Sequence, residues 1–424
     1  MLLSKKGAEG SVRIGRLGVA GLASFIVGFT TACPETEPQV TTADVAPDVS
    51  AQDGAGETAP DGAAPVELPE TTAGCGSTTL FVQPDDPSAR GPWRVGARTV
   101  TIGRLTVEVW YPVEPGAEDG FDAVRYDLRD QLPAEESGKI ADADNPWQQC
   151  DCYRDAPLDT VRGPYPVVLF VHGTASFRTQ SLSQMVHWAS RGMVVMSADH
   201  PGLKLADTLS LLCPHESSGA RDIAGDAVAM LDAVTTAAGE LAFLESSVDT
   251  SRVGVAGHSA GGAAAAELAG LAGVRVVVPM ASGTPAAASD TSEMTLFLAG
   301  NADGVVPVTS TVEGYDATAG AKRLVVLENA GHLAFSDLCS TTNAAGQDIL
   351  TIAAEAGICG TEFGAVLFDC SPTLLDSAVG QVIVNHTTAL VLEEHLQCRV
   401  WSSDPWSSLE TTLSDIAEVR QSLE

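Results

Sequence analysis

The stretch RVGVAGHSAGGAAAAELAG, Arg252–Gly270, decides the fold. A short β-branched run, RVGVA, passes into an alanine-rich run of high helix propensity, with Gly257, His258, Ser259, Ala260 and Gly261 between them. The pattern G-x-S-x-G is short enough to arise by chance, so alone it decides little. Its context carries the weight: a strand before it and a helix after it make a nucleophile elbow. Ser259 is then expected on a sharp, strained turn. Glycines at 257 and 261 would let neighbouring backbone pass close. The helix start behind the serine offers unpaired N–H groups and the positive end of a dipole to developing negative charge. A turn without chemistry is the bland alternative, and the strand–turn–helix context disfavours it.

On either side, apolar runs alternate with helix-like segments from about Arg94 to Leu396. This is the sign of a mostly parallel sheet with helices on both faces, an α/β fold. ARTVTIG and LTVEVWYP are expected as an early antiparallel pair. YPVVLFVHG, MVVMSADHPG, VRVVVPMAS, MTLFLAGNADG and RLVVLENAGH read as further strands. QSLSQMVHWASRG and ARDIAGDAVAMLDAV read as helices, and Val382 to Gln397 as a closing helix. Residues 113–163 and 339–371 are expected as insertions, the first irregular and polar. The segment with Trp401 and Trp406 has no assignment from pattern alone.

A serine hydroxyl is a weak nucleophile without a base, and on an elbow of this kind the base follows the acid late in the chain. His332 sits in the loop Ala330-Gly331-His332 after a strand, whereas His386 and His395 fall within the closing helix. His332 is therefore the candidate base. Asp303, in Asn301-Ala302-Asp303-Gly304 after the preceding strand, is the candidate acid. Asp337 is its rival by nearness to His332, with a local cap as its ordinary role. The oxyanion donors are expected to be the N–H groups of Ala260 and Thr174, the latter in the loop after Tyr165–Gly173. His172 and His258, which flank these elements, are expected to be structural.

The ends and the cysteines bound the setting. Lys5, Lys6, Arg13 and Arg16 precede the apolar run Leu17–Phe29, then Thr30-Thr31-Ala32-Cys33. Residues 1–33 read as an export signal, too short in its apolar run for a transmembrane anchor. Cys33 after small residues resembles the bacterial lipoprotein signal, in which that cysteine carries lipid; an ordinary signal peptide cut nearby is the alternative. Residues 34–72 hold no Lys, Arg or aromatic residue and read as a disordered acidic tether. The catalytic domain is then expected over residues 73–424. Eight of the nine cysteines remain after Cys33, an even number that suggests up to four disulfides with no pairing assignable. Cys150 and Cys152 have C-x-C spacing, but no second such pair supports a zinc site. The formal net charge of −32 argues against nucleic acid as a partner and against anionic lipid surfaces. Membrane association is expected only through the lipid anchor.

Together VEVWYPVEPG, HGTASFRTQS, SADHPG, GHSAGG, GNADGVVPV and NAGHLAFSDLC, in that order, resemble the α/β-hydrolase superfamily. The likeness is to the branch of dienelactone-hydrolase-like proteins, platelet-activating-factor acetylhydrolases, and cutinase-like and chlorophyllase-like esterases. It covers roughly Leu105 to Leu396. The resemblance implies a serine carboxylic-ester hydrolase with Ser259, Asp303 and His332 in its active site, and no metal or organic cofactor. It implies a small-molecule or lipid ester substrate: short- to medium-chain acyl esters or phospholipid-type acetyl esters. Ser259 argues against true dienelactone hydrolysis, which uses cysteine. The two insertions have no counterpart in the branch. A polyester or amide substrate is the alternative with the same machinery. A surface lipoprotein that keeps the fold for binding alone is the alternative of another class.

Overall fold

The computed structural model describes residues 66–361 and 369–424. The export signal, Cys33 and most of the expected tether lie outside the described residues. Strands β1 (Thr71–Ala73) and β2 (Thr79–Phe81) form an antiparallel hairpin, so the tether boundary expected at Thr72 falls inside a paired strand. The buried residues Leu80 and Phe81 give this hairpin the apolar side that residues 34–72 lack by composition.

The antiparallel pair expected at the start of the domain is β3 (Arg94–Ile102) and β4 (Leu105–Val113), in register from Arg94 opposite Val113 to Ile102 opposite Leu105. The insertion that follows is not irregular throughout. It contributes β5 (Ala123–Tyr126), α1 (Ala134–Ser137) and β6 (Gln148–Arg154), and β6 joins the sheet parallel to β3. In β6, Gln148, Cys150 and Cys152 are buried while Gln149 and Asp151 are exposed. That period of two is a strand signal, but its buried positions include a glutamine and two cysteines, which masked it.

The long apolar runs form β7 (Tyr165–Val171), β8 (Val194–Ala198), β9 (Val248–His258), β10 (Val274–Met280), β11 (Met294–Gly300) and β12 (Lys322–Leu327). All six are parallel to their neighbours within this block. β13 (Ile416–Ser422) closes the β12 edge antiparallel. In the segment unassigned from pattern, Trp406 lies in a short 3₁₀ turn, Pro405–Ser408, ahead of this strand. The main sheet runs β13-β12-β11-β10-β9-β7-β8-β4-β3-β6-β5. In β11, Leu296 and Leu298 face one core while Phe297 and Ala299 face the opposite side. Burial on both faces explains why such strands read as unbroken apolar runs.

Helices cover both faces. In chain order they are α2 (Leu182–Ser190), α3 (Leu205–Ser210), α4 (Ile223–Thr236) and α5 (Ala260–Glu267), then α6 (Val308–Ala317), α7 (Ile349–Glu355), α8 (Ser377–Gln397) and α9 (Leu409–Thr412). α2 and α8 pack on one face, with Trp188, Leu390 and Leu392 buried there. α4 and α5 pack on the other, with Met230, Val234 and Ala265. α8 begins five residues before the expected Val382, because Asp376 caps it by accepting the N–H of Ala378.

Four disulfides tie the described residues: Cys75–Cys398, Cys150–Cys152, Cys213–Cys359 and Cys339–Cys370. Cys213–Cys359 anchors the second insertion, around α7, to the segment that follows α3, and Cys339–Cys370 closes the base of that insertion. No helix among the described residues is long and apolar enough to cross a membrane.

Candidate active site

β9 ends at His258 and α5 begins at Ala260, which leaves Ser259 alone at the turn with φ 59° and ψ −120°. A non-glycine residue in that region carries strain of order 1–3 kcal/mol, so the surroundings must enforce it. They do so by close packing. A Cβ on Gly261 would stand 2.0 Å from the carbonyl oxygen of Val171, and one on Gly257 would stand 2.2 Å from that of Gly261. Only glycine lets the start of α5 press against the ends of β7 and β9.

His332 opens a short 3₁₀ turn after β12, and Asp303 follows β11. The Nδ1 of His332 lies 2.8 Å from Oδ2 of Asp303. The other carboxylate oxygen of Asp303 accepts the N–H groups of Val305 at 2.8 Å and Val306 at 2.7 Å. An ionised carboxylate only accepts, so Nδ1 carries the proton and Nε2 keeps a free lone pair. Ser259 and His332 line one pocket of about 190 Å³ with Gly173, Thr174, Val305 and Leu338.

One backbone donor, Thr174, lines this pocket, and a second, Ala260, directly follows Ser259. Ala260 is the first residue of α5, where helix N–H groups have no partner within the helix. Thr174 follows β7. The neighbouring N–H of Gly173 is already committed, at 2.7 Å, to Oε1 of Gln180. Among the described residues neither the Thr174 nor the Ala260 N–H has an acceptor.

Other candidates have settled elsewhere. Asp337 accepts the N–H and hydroxyl of Ser183 at 2.7 and 2.6 Å, at the start of α2. It is a helix-end acceptor, and burial pushes its carboxyl up to about 6. His386 and His395 lie in α8, the latter 3.1 Å from Glu293. His172 is buried between the carbonyl of Gly173 and the N–H of His200. Burial pushes it down to about 4, so it stays neutral.

Two side chains that spacing did not reveal hold the site together. Gln180 donates to Nδ1 of His258 at 2.8 Å while its oxygen takes the Gly173 N–H. His258 in turn donates from Nε2 to the carbonyl of His332, also at 2.8 Å. Burial, and then the nearby His332, push His258 down to about 3, so it serves as a neutral link. Asp369 accepts the N–H of His332 and, at 3.0 Å, that of Leu333. A Cβ on Gly331 would stand 2.4 Å from the Asp369 carboxylate, so a side chain there would have to displace that carboxylate from its bonds.

A family model described as PETase, PET hydrolase-like, matches residues 152–349, just under half of the chain. That span holds Ser259, Asp303 and His332. A ferulic acid esterase from Streptomyces cinnamoneus is similar in structure, with 19% identity and a TM-score of 0.50. The likeness covers 74% of this chain and 94% of that one, and is a likeness of fold. No curated protein matches the chain. Strand order and these similarities make the chain an α/β-hydrolase-fold protein.

Proposed function

We propose that the chain is a serine carboxylic-ester hydrolase that works through an acyl-enzyme on Ser259. The observation that carries this reading is the 2.8 Å Asp303–His332 bond, which leaves Nε2 free in the pocket that Ser259 lines. The Oγ of Ser259 attacks the ester carbonyl carbon as His332 Nε2 takes its proton. The resulting oxyanion rests on the N–H groups of Ala260 and Thr174. Asp303 holds the imidazole in its tautomer and stabilises the imidazolium. His332 then protonates the leaving alcohol, and water repeats the cycle to free the acid.

Short- to medium-chain acyl esters are the substrates this reading favours. A polyester is the second reading, favoured by the PET hydrolase-like description of the matching family. Four disulfides fit an oxidising compartment and hence an exported enzyme, with Cys33 as its lipid anchor. The test is hydrolysis of p-nitrophenyl acetate and of amorphous aromatic polyester by wild type and Ser259→Ala. Activity on the small ester that disappears in the variant supports the reading. Folded wild type that cleaves neither would leave a protein that keeps the fold for binding alone.

A further inference from the structure

We infer that the two insertions build an acyl pocket for a short alkyl chain of roughly four carbons. This rests on the ester-hydrolase reading above and deepens it. Beside the Ser259 pocket lies a second cavity of about 100 Å³ whose exposed lining is almost wholly apolar. Its wall is a buried cluster of Ile140, Leu209, Ile352, Ala353 and Ile358. These residues come from three places: the first insertion, α3, and the second insertion around α7. The disulfide Cys213–Cys359 joins two of them. Arg129, a charged residue on the lining, has its guanidinium held by Asp127 and Asp142 at 2.6 Å each.

The cavity adjoins the reacting centre. Ala175, next to Thr174, lines both it and the Ser259 pocket. Leu128, on the cavity, packs in one cluster with Leu333 and Leu338, which line the Ser259 pocket. The side of the carbonyl that it serves follows from the chemistry. His332 must face the leaving alcohol to protonate it, and His332 does not line the cavity. The cavity shares Ala175 with the Ser259 pocket on the side of the Thr174 donor, so the group it receives is the acyl chain. A cavity of about 150 Å³ takes benzene, so this one accommodates an alkyl group of roughly four carbons.

The experiment is a p-nitrophenyl ester series from acetate to dodecanoate on the full chain with its disulfides intact. Wild type should prefer butanoate to acetate by roughly tenfold or more in kcat/KM. Ala353→Phe, which fills the cavity, should remove that preference and leave acetate hydrolysis unchanged. Leu209→Ala, which enlarges it, should move the best chain toward roughly six carbons. A flat wild-type profile, with activity that still depends on Ser259, overturns the acyl pocket and leaves the ester-hydrolase reading intact. Equal losses on acetate and butanoate in Ala353→Phe overturn it as well. Absence of hydrolysis on any ester removes the parent reading first.

Discussion

At Ser259 the backbone conformation, φ 59° and ψ −120°, sets the residue apart from both the strand before it and the helix after it. The glycines at 257 and 261 permit the close backbone approach that surrounds that conformation. Gly261→Ala should therefore cost at least about 3 kcal/mol, by overpacking against Val171. Denaturant unfolding reads this as a lower midpoint. Asp303→Asn keeps the size of the side chain but no longer enforces the Nδ1–H tautomer of His332. It should lower kcat roughly ten-thousand-fold with KM little changed, which steady-state kinetics on a small ester would show. The three candidate residues were legible in the sequence because each lies in the turn or loop after an apolar strand, in the order serine, acid, base. Gln180 and Asp369 were not. Each acts through backbone groups distant in the chain, Gln180 through His258 onto His332 and Asp369 onto the His332 N–H, and no local spacing marks such a role.

Among the elements, the second insertion bears on catalysis as well as on the pocket wall. Asp369, adjacent to Cys370, holds the N–H groups of His332 and Leu333, and Cys370 is bonded to Cys339. The disulfide thus fixes the segment that fixes the base. Replacing both Cys339 and Cys370 with serine should lower kcat roughly tenfold to a hundredfold through misplacement of the imidazole. The melting temperature should fall too, since closing a loop of this length contributes about 3–4 kcal/mol. A variant that loses stability but keeps full kcat would show the disulfide to be structural only. The parallel strands were legible at this scale because burial on both faces leaves no polar position to break the pattern. The first insertion was not, because β5 is only four residues long and the buried face of β6 carries Gln148. Pairing of β6 with β3 and of β5 with β6, not propensity, makes them strands.

For the molecule as a whole, buried neutral histidines set the response to acid. Burial pushes His172 down to about 4, and His187 and His258 down to about 3. Below pH 6.5 the unfolded chain gains protons at these positions and the folded chain does not. Their stabilisation is therefore present above pH 6.5 and is lost as pH falls toward 3–4. At pH 5 the loss is about 2 kcal/mol for each histidine. Asp337, raised to about 6, acts in the opposite sense: its contribution is complete below 3.8 and is lost as pH rises through 6. Three histidines outweigh one carboxyl, so the melting temperature should fall from pH 6.5 to pH 5. A flat or rising profile in calorimetry would contradict this balance.

The central claim is that Ser259 is the nucleophile, and covalent capture tests it most directly. The folded domain would be treated with a fluorophosphonate ester, digested, and read by mass spectrometry, with Ser259→Ala alongside. The account predicts one phosphonyl adduct, on the peptide that carries Gly257-His258-Ser259, and no adduct in the variant. Ester hydrolysis that survives in Ser259→Ala, or an adduct on any other residue of an active enzyme, would contradict it.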